Sequence, residues 1–156
     1  MITSGIGADV DSAIDQDLKA LVDTTTEQVT FDPALKDSLM LQTPGKELSD
    51  PEILKCSTRL NKPTPTAEFL DTNTKWLQYW NRYSHAVKVP FMYGISEFDV
   101  LLLSTQEALE KYRNAFPCSS RIECSMVPEA PHYIELSYQG RGWLARCCGF
   151  ALECAG

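Results

Sequence analysis

The sequence lacks any long apolar run and any excess of basic charge. No stretch of about 18 uncharged apolar residues occurs, so no membrane-spanning helix is predicted. The 14 basic residues are scattered and are outnumbered by 21 acidic ones, giving a formal net charge of −7. This balance argues against a nucleic-acid partner. The first ten residues also lack the pattern of a secretory signal, so we expect a soluble, cytoplasmic protein with no membrane partner.

Histidine is scarce, and cysteine does not occur at metal-ligand spacing. The two histidines, His85 and His132, lie far from any paired cysteines, and no Cys-x-x-Cys pair exists. A zinc site is therefore not predicted. The glycine pairs at 5/7 and 140/142 lack the G-x-G-x-x-G pattern of a phosphate-binding loop. We expect neither a metal nor an organic cofactor.

Six cysteines are present, and the sequence favours free thiols over disulfides. Three of them, Cys147, Cys148 and Cys154, fall on the apolar side of one predicted helix. No export signal accompanies them, and disulfides belong mainly to exported proteins. All six cysteines are therefore expected to be buried free thiols.

The chain divides into a helical segment, residues 1–84, and a segment with strands, residues 85–156. At 156 residues and 44% apolar content, it is long enough for the core of one ordinary domain. In the first segment, Thr64 can cap a helix to about Tyr83, with Trp76 and Trp80 along one side. Two tryptophans on one face indicate either a deeply packed helix or the wall of an apolar pocket.

The second segment has the order of a parallel strand–helix–strand unit followed by a last helix. An apolar strand is predicted over residues 87–93, and Ser104 with Glu107 forms a capping box before the next helix. A second strand follows at residues 122–127, and a last helix at about 142–154. Two parallel strands make an unfinished sheet, since such sheets are usually wider and covered on both faces. The exposed edge leads us to expect a second polypeptide or a homodimer.

A carboxylate and a histidine follow the two predicted strands. Asp99 stands after the first strand and His132 after the second, and the carboxyl ends of parallel strands share one edge of a sheet. A carboxylate placed there can orient an imidazole and stabilise its protonated form. Two alternatives remain open: Asp99 could merely cap the following helix, and Glu97 is a rival acid in the same loop.

No residue of the sequence is a clear nucleophile for such a pair. The G-x-S-x-G turn is absent, and Ser4 lies in a glycine-containing stretch that nothing strand-like precedes. Cys124 falls within a predicted strand, and Cys147 and Cys148 fall on a helix. Their interpretation as core residues is favoured.

Three stretches that together cover roughly residues 86–154 stand out: 89–94 leading into 97–99, then 129–137, and then 142–143 with 145–154. They resemble the C-terminal part of an α/β-hydrolase of the kind found in fungal secondary metabolism. By that resemblance Asp99 and His132 are the triad acid and histidine, and residues 1–84 are cap helices. Ser96 and Glu129 stand where the family commonly has glycine, and the family's N-terminal half, with its serine turn, has no counterpart.

The resemblance predicts a partial α/β-hydrolase-like fold of class α/β, with helical cap residues 1–84 and a βαβα core at 85–156. The favoured function is a truncated or split serine hydrolase for an ester or thioester of a small apolar metabolite. A second polypeptide or a homodimer partner would then supply the nucleophile. The alternative is a non-hydrolytic binding protein, or an isomerase-like or cyclase-like acid–base protein using Asp99 and His132. In each case Trp76, Trp80 and Tyr133 are expected to contribute to the pocket.

Overall fold

A computed structural model describes residues 1–155 except 6, 8, 11–15, 17–19, 21, 43 and 44. The strands are β1 Ile2–Ser4, β2 Gln28–Val29, β3 Thr64–Pro65, β4 Phe91–Ser96 and β5 Ile122–Val127. The α-helices are α1 Pro33–Met40, α2 Pro51–Ser57, α3 Thr66–Leu70, α4 Trp76–Ser84, α5 Gln106–Asn114 and α6 Gly140–Cys154. A π-helical turn, Asp71–Lys75, joins α3 to α4, and 3₁₀ turns occupy Thr58–Leu60 and Ile134–Leu136.

The main sheet has three parallel strands in the order β1-β4-β5, and β2 pairs antiparallel with β3 beside it. In register, Met92 of β4 faces Ile2 on one side and Glu123 on the other. All six residues of β4 are buried, as expected for a central parallel strand that is covered on both faces. The mixed α/β architecture with a parallel sheet confirms the predicted fold class.

The side chains of β4 alternate between two separate apolar clusters. Phe91, Tyr93 and Ile95 pack with Trp80 of α4 and with the buried side of α5. Met92 points the other way and packs with Trp143 and Phe150 of α6. This period of two is the ordinary geometry of a strand, and it places a helix layer on each face of the sheet.

The first strand is where the sequence prediction fails. The expectation that nothing strand-like precedes Ser4 is wrong, because residues 2–4 form β1 and pair with residues 92–94. Three residues are too few to show strand periodicity, and the partner strand lies about 90 positions along the chain. The sheet therefore takes one strand from the segment at 1–84. The division of the chain into cap and core stays a prediction.

Smaller corrections concern the element boundaries. The predicted strand at 87–93 begins later, at Phe91, while β5 occupies the predicted residues. Thr105, rather than Ser104, caps α5, because its hydroxyl accepts from the Ala108 N–H. Ser104 instead donates its hydroxyl proton to the Ser96 carbonyl at 2.6 Å, which fastens the loop after β4.

All six cysteines are free, as predicted, but they are not all buried. Cys124 of β5 and Cys147 of α6 are half-buried. The other four are exposed, and two of these, Cys148 and Cys154, lie on α6, of which only one face meets the sheet. The four exposed cysteines are Cys56, Cys118, Cys148 and Cys154.

The close approach of Trp143 to Gly94 allows the packing of α6 against β4 to be tested. A Cβ added at Gly94 would lie 2.5 Å from the Trp143 ring, whereas one added at Gly149 of α6 would meet nothing within 4 Å. We expect Gly94→Ala to lower the free energy of unfolding by about 1–3 kcal/mol through overpacking. Gly149→Ala, the matched control, should raise it by about 0.5–1 kcal/mol. Urea denaturation measures both, and equal effects would contradict this packing.

Candidate active site

Asp99 is fixed by the loop that follows β4. One carboxylate oxygen, Oδ1, accepts from the backbone N–H groups of Leu101 and Leu102 at 2.9 and 3.0 Å. The other, Oδ2, accepts from the Ser96 hydroxyl at 2.9 Å. The Asp99 side chain is only 1% exposed, so these three donors replace the water that a buried carboxylate loses. Asp99 therefore orders its own loop, and α5 begins only at Gln106.

The structure brings His132 onto the same carboxylate. His132 Nδ1 lies 2.9 Å from Oδ2 and 3.0 Å from Oδ1 of Asp99. The backbone N–H of Tyr133 donates to the Met40 carbonyl at 2.8 Å, which fastens the histidine loop to the end of α1. Glu97, the rival acid, is engaged elsewhere, because its carboxylate accepts from the Glu129 N–H at 2.9 Å.

The electrostatics of the pair follow from burial and hydrogen bonding. Burial by itself would raise the pKa of Asp99. The hydrogen bond and charge of His132, with the N–H groups of Leu101 and Leu102, outweigh burial and hold the pKa below its ordinary value. Since the ionised carboxylate can only accept, Nδ1 carries a proton, and in the neutral ring Nε2 is left as the acceptor.

Nε2 lies beside the turn that follows β1. Gly5 has a left-handed φ of +64°, and a Cβ added there would lie 3.3 Å from Nε2. Among the described residues, none forms a hydrogen bond to Nε2, and both Gly5 and His132 line one cavity. A glycine at this turn supplies the required backbone conformation and leaves space next to the imidazole nitrogen.

The cavity has a volume of about 450 Å³, within the range of small-molecule sites. Its walls come from the ends of β1 and β4, from α1 and from the helical stretch between Thr66 and Ser84. Leu101 and Leu102 connect the cavity to the acid, since their N–H groups bind Asp99. The lining residues also include Val10, Phe31, Leu39, Met40, Phe69, Trp76 and Leu77.

Of the three predicted pocket residues, Trp76 lines the cavity and the other two do not. Trp80 lies one turn further along α4, in the core, where its ring stacks on Tyr112 at 5.1 Å. Tyr133 is 37% exposed, with its ring centroid 5.6 Å from that of His132. Leu101 and Leu102 were missed, although an apolar run directly after the strand-end acid was a usable signal.

Three candidate nucleophiles of the sequence, Ser4, Cys124 and Cys147, are engaged or weakly reactive. Ser4 donates its hydroxyl to Glu135, which also accepts from the Trp143 indole N–H at 3.1 Å. Burial raises the pKa of the Cys124 thiol to about 11, and burial likewise raises the pKa of Cys147. Thiols with raised pKa values are poor nucleophiles near neutral pH.

The described part of the chain contains no group of three or more His, Cys, Asp or Glu side chains that could hold a metal ion. Among the same residues, no helix has the length and apolar character needed to cross a membrane.

Comparison with known proteins agrees with the mixed α/β fold. No family model and no curated protein matches the sequence. Among solved structures, the chain is similar to a Paleococcus ferrophilus monoacylglycerol lipase, with 12% identity and a TM-score of 0.61. The chain has an α/β-hydrolase-like fold. The match covers 94% of this chain and 55% of the lipase, so the chain spans about half of that enzyme's length.

The lowered pKa of Asp99 predicts how stability depends on pH. Its folded-state pKa lies below the ordinary value of 3.8, so its contribution to stability is complete above about pH 4. The contribution is lost as the pH falls further, toward the folded-state pKa. Asp99→Asn removes this titration, so the stability gap between wild type and variant should shrink below about pH 4. Urea denaturation between about pH 6 and pH 3 measures the gap, with the exposed-acid variant Glu52→Gln as control. A constant gap would contradict the assignment.

Proposed function

We propose that the chain supplies the acid–base pair of a serine-hydrolase-type site for an ester or thioester of a small apolar molecule. The observation that carries the proposal is the His132–Asp99 contact at 2.9 Å, with Nε2 beside Gly5 at the cavity. Most buried polar side-chain atoms have a hydrogen-bond partner, whereas no described residue bonds to Nε2, which faces the cavity. The resemblance in residues 86–154 favours a metabolite of fungal secondary metabolism as the substrate.

The geometry supports a specific division of labour. Nε2 takes the proton of an attacking hydroxyl, and Asp99 stabilises the imidazolium that results while holding the ring in position. The imidazolium then returns the proton to the departing alkoxide or thiolate. Because the Ser4 hydroxyl is held by Glu135, the attacking group in this chain alone is water, and a serine would come from a partner.

A second candidate function follows from the same observation about Ser4. A pair without a bound nucleophile is sufficient for proton transfer to and from a substrate carbon or oxygen, as in an isomerase-like or cyclase-like reaction. In that case the cavity, Asp99 and His132 are used unchanged and no partner serine is required. Simple binding of an apolar metabolite, without reaction, instead predicts saturable uptake of the metabolite that survives His132→Ala.

Hydrolysis of an activated aryl ester tests the proposal on the purified chain. We expect slow turnover that depends on unprotonated His132 and falls by about 10²-fold or more in His132→Ala and in Asp99→Asn. His85→Ala, which removes an exposed histidine at the end of α4, should leave turnover unchanged. A fluorophosphonate should not label the chain. Labelling at Ser4, or turnover that survives His132→Ala, would contradict the proposal.

The proposed partner, a second polypeptide or a second copy, would meet the chain at β1. In the described part of the chain, no strand pairs with the outer edge of β1, and Ile2 is 38% exposed there. The opposite edge carries charged side chains, because Arg121 next to β5 pairs with Glu123 and Glu153. Charges on an edge strand discourage pairing with another chain, so β1 is the edge open to association.

The homodimer alternative, in which two copies associate through β1, can be tested with the purified chain alone. Sedimentation equilibrium should show a concentration-dependent dimer, and Ile2→Lys should weaken it by at least about tenfold by placing a charge on the edge. Val89→Lys changes an exposed apolar residue ahead of β4 and is the matched control. A monomer at every concentration would contradict the homodimer and leave a separate polypeptide as the partner.

A further inference from the structure

The cavity wall contains a buried lysine whose charge is already neutralised. Lys36 of α1 lines the cavity and is 8% exposed. Its ammonium lies 2.8 Å from Oδ1 of Asp37 and donates to the Ser57 carbonyl at 2.9 Å. Asp37 is held in turn by the Ser57 hydroxyl, which donates to its other oxygen at 2.7 Å. The ammonium is therefore bound by α1 and the end of α2.

The remaining charged side chains of the wall are acidic. Asp71, in the π-helical turn, accepts from the Tyr79 hydroxyl at 2.6 Å. Glu68 is exposed, one helical turn earlier. Among the described ion pairs, the Lys36 ammonium meets only Asp37, so Asp37 is the carboxylate that neutralises it. Apart from His132, two threonines and two glycines, the rest of the wall is apolar.

We propose that Asp37 determines the charge of the molecule that the cavity accepts, by neutralising Lys36. The cavity then takes uncharged apolar molecules, such as esters, and excludes the corresponding carboxylates. The inference rests on the proposed function in one respect, since it treats this cavity as the substrate site. It adds the substrate's charge and the residue that sets it.

The physical reason is the cost of moving a charge out of water. A carboxylate entering the cavity would lose its hydration and would find the lysine ammonium already paired with Asp37. An uncharged ester loses little hydration and gains apolar contact with side chains such as Met40, Phe69 and Leu101. After hydrolysis, the same selection would favour release of the acid product.

Displacement of the uncharged dye Nile red at neutral pH tests the proposal without any reaction. We expect methyl decanoate to displace the dye at a concentration at least about tenfold lower than decanoate does, both below their aggregation limits. Equal potency, stronger displacement by decanoate, or no displacement by either would overturn the inference. Ester turnover does not enter the measurement, so a failure of hydrolysis would count against the proposed function alone.

Three variants test whether Asp37 causes the preference for the uncharged ester over the carboxylate. Asp37→Asn frees the Lys36 ammonium, so the ratio between the two displacing concentrations should fall to near one. Glu52→Gln removes the same charge from the exposed surface of α2 and should leave the ratio unchanged. The double variant Lys36→Met with Asp37→Asn removes both charges and should restore the wild-type ratio.

The double variant also protects the test against loss of folding, which circular dichroism monitors. If Asp37→Asn alone unfolds because it leaves a buried ammonium without its carboxylate, the double variant keeps an uncharged wall of similar volume. A folded Asp37→Asn with the wild-type ratio would overturn the role of Asp37. A double variant that binds decanoate as well as methyl decanoate would overturn it too.

Discussion

The complete burial of β4 is the constraint on which the rest of the structure depends. A central strand that is covered on both faces needs a helix layer on each side, and α5 and α6 provide these layers. The face toward α6 has room for Trp143 only because residue 94 is glycine. Trp143 then donates to Glu135, and Glu135 accepts from Ser4 at the end of β1. The packing of β4 thus reaches the loop that carries His132.

The parts of the fold that local sequence determines could be predicted. β5 occupies the expected residues, and Asp99 and His132 meet because two consecutive parallel strands bring their carboxyl ends to one edge. β1 could not be predicted in the same way. Its three residues contain no periodic signal, and its stability comes from pairing with a strand about 90 positions away. Such a pairing is a property of the folded sheet and not of the segment.

The cavity shows a second limit of sequence reasoning, which concerns depth along a helix. Trp76 and Trp80 are four residues apart, so they share a face, as the helical period predicted. They are also separated by about 6 Å along the helix axis, since each residue rises about 1.5 Å. That distance places Trp76 at the cavity and Trp80 in the core against Tyr112. Periodicity gives the direction of a side chain, but the position of neighbouring elements decides what it meets.

The contacts of Asp99 separate its structural role from a chemical one. Two N–H groups and the Ser96 hydroxyl would hold this carboxylate and its loop even without an imidazole. His132 is only 8% exposed and adds a further hydrogen bond to a carboxylate that its own loop already binds. A buried ring that gives one nitrogen to this carboxylate, and presents the other to a cavity beside a glycine turn, has the arrangement that the proposed proton transfer requires.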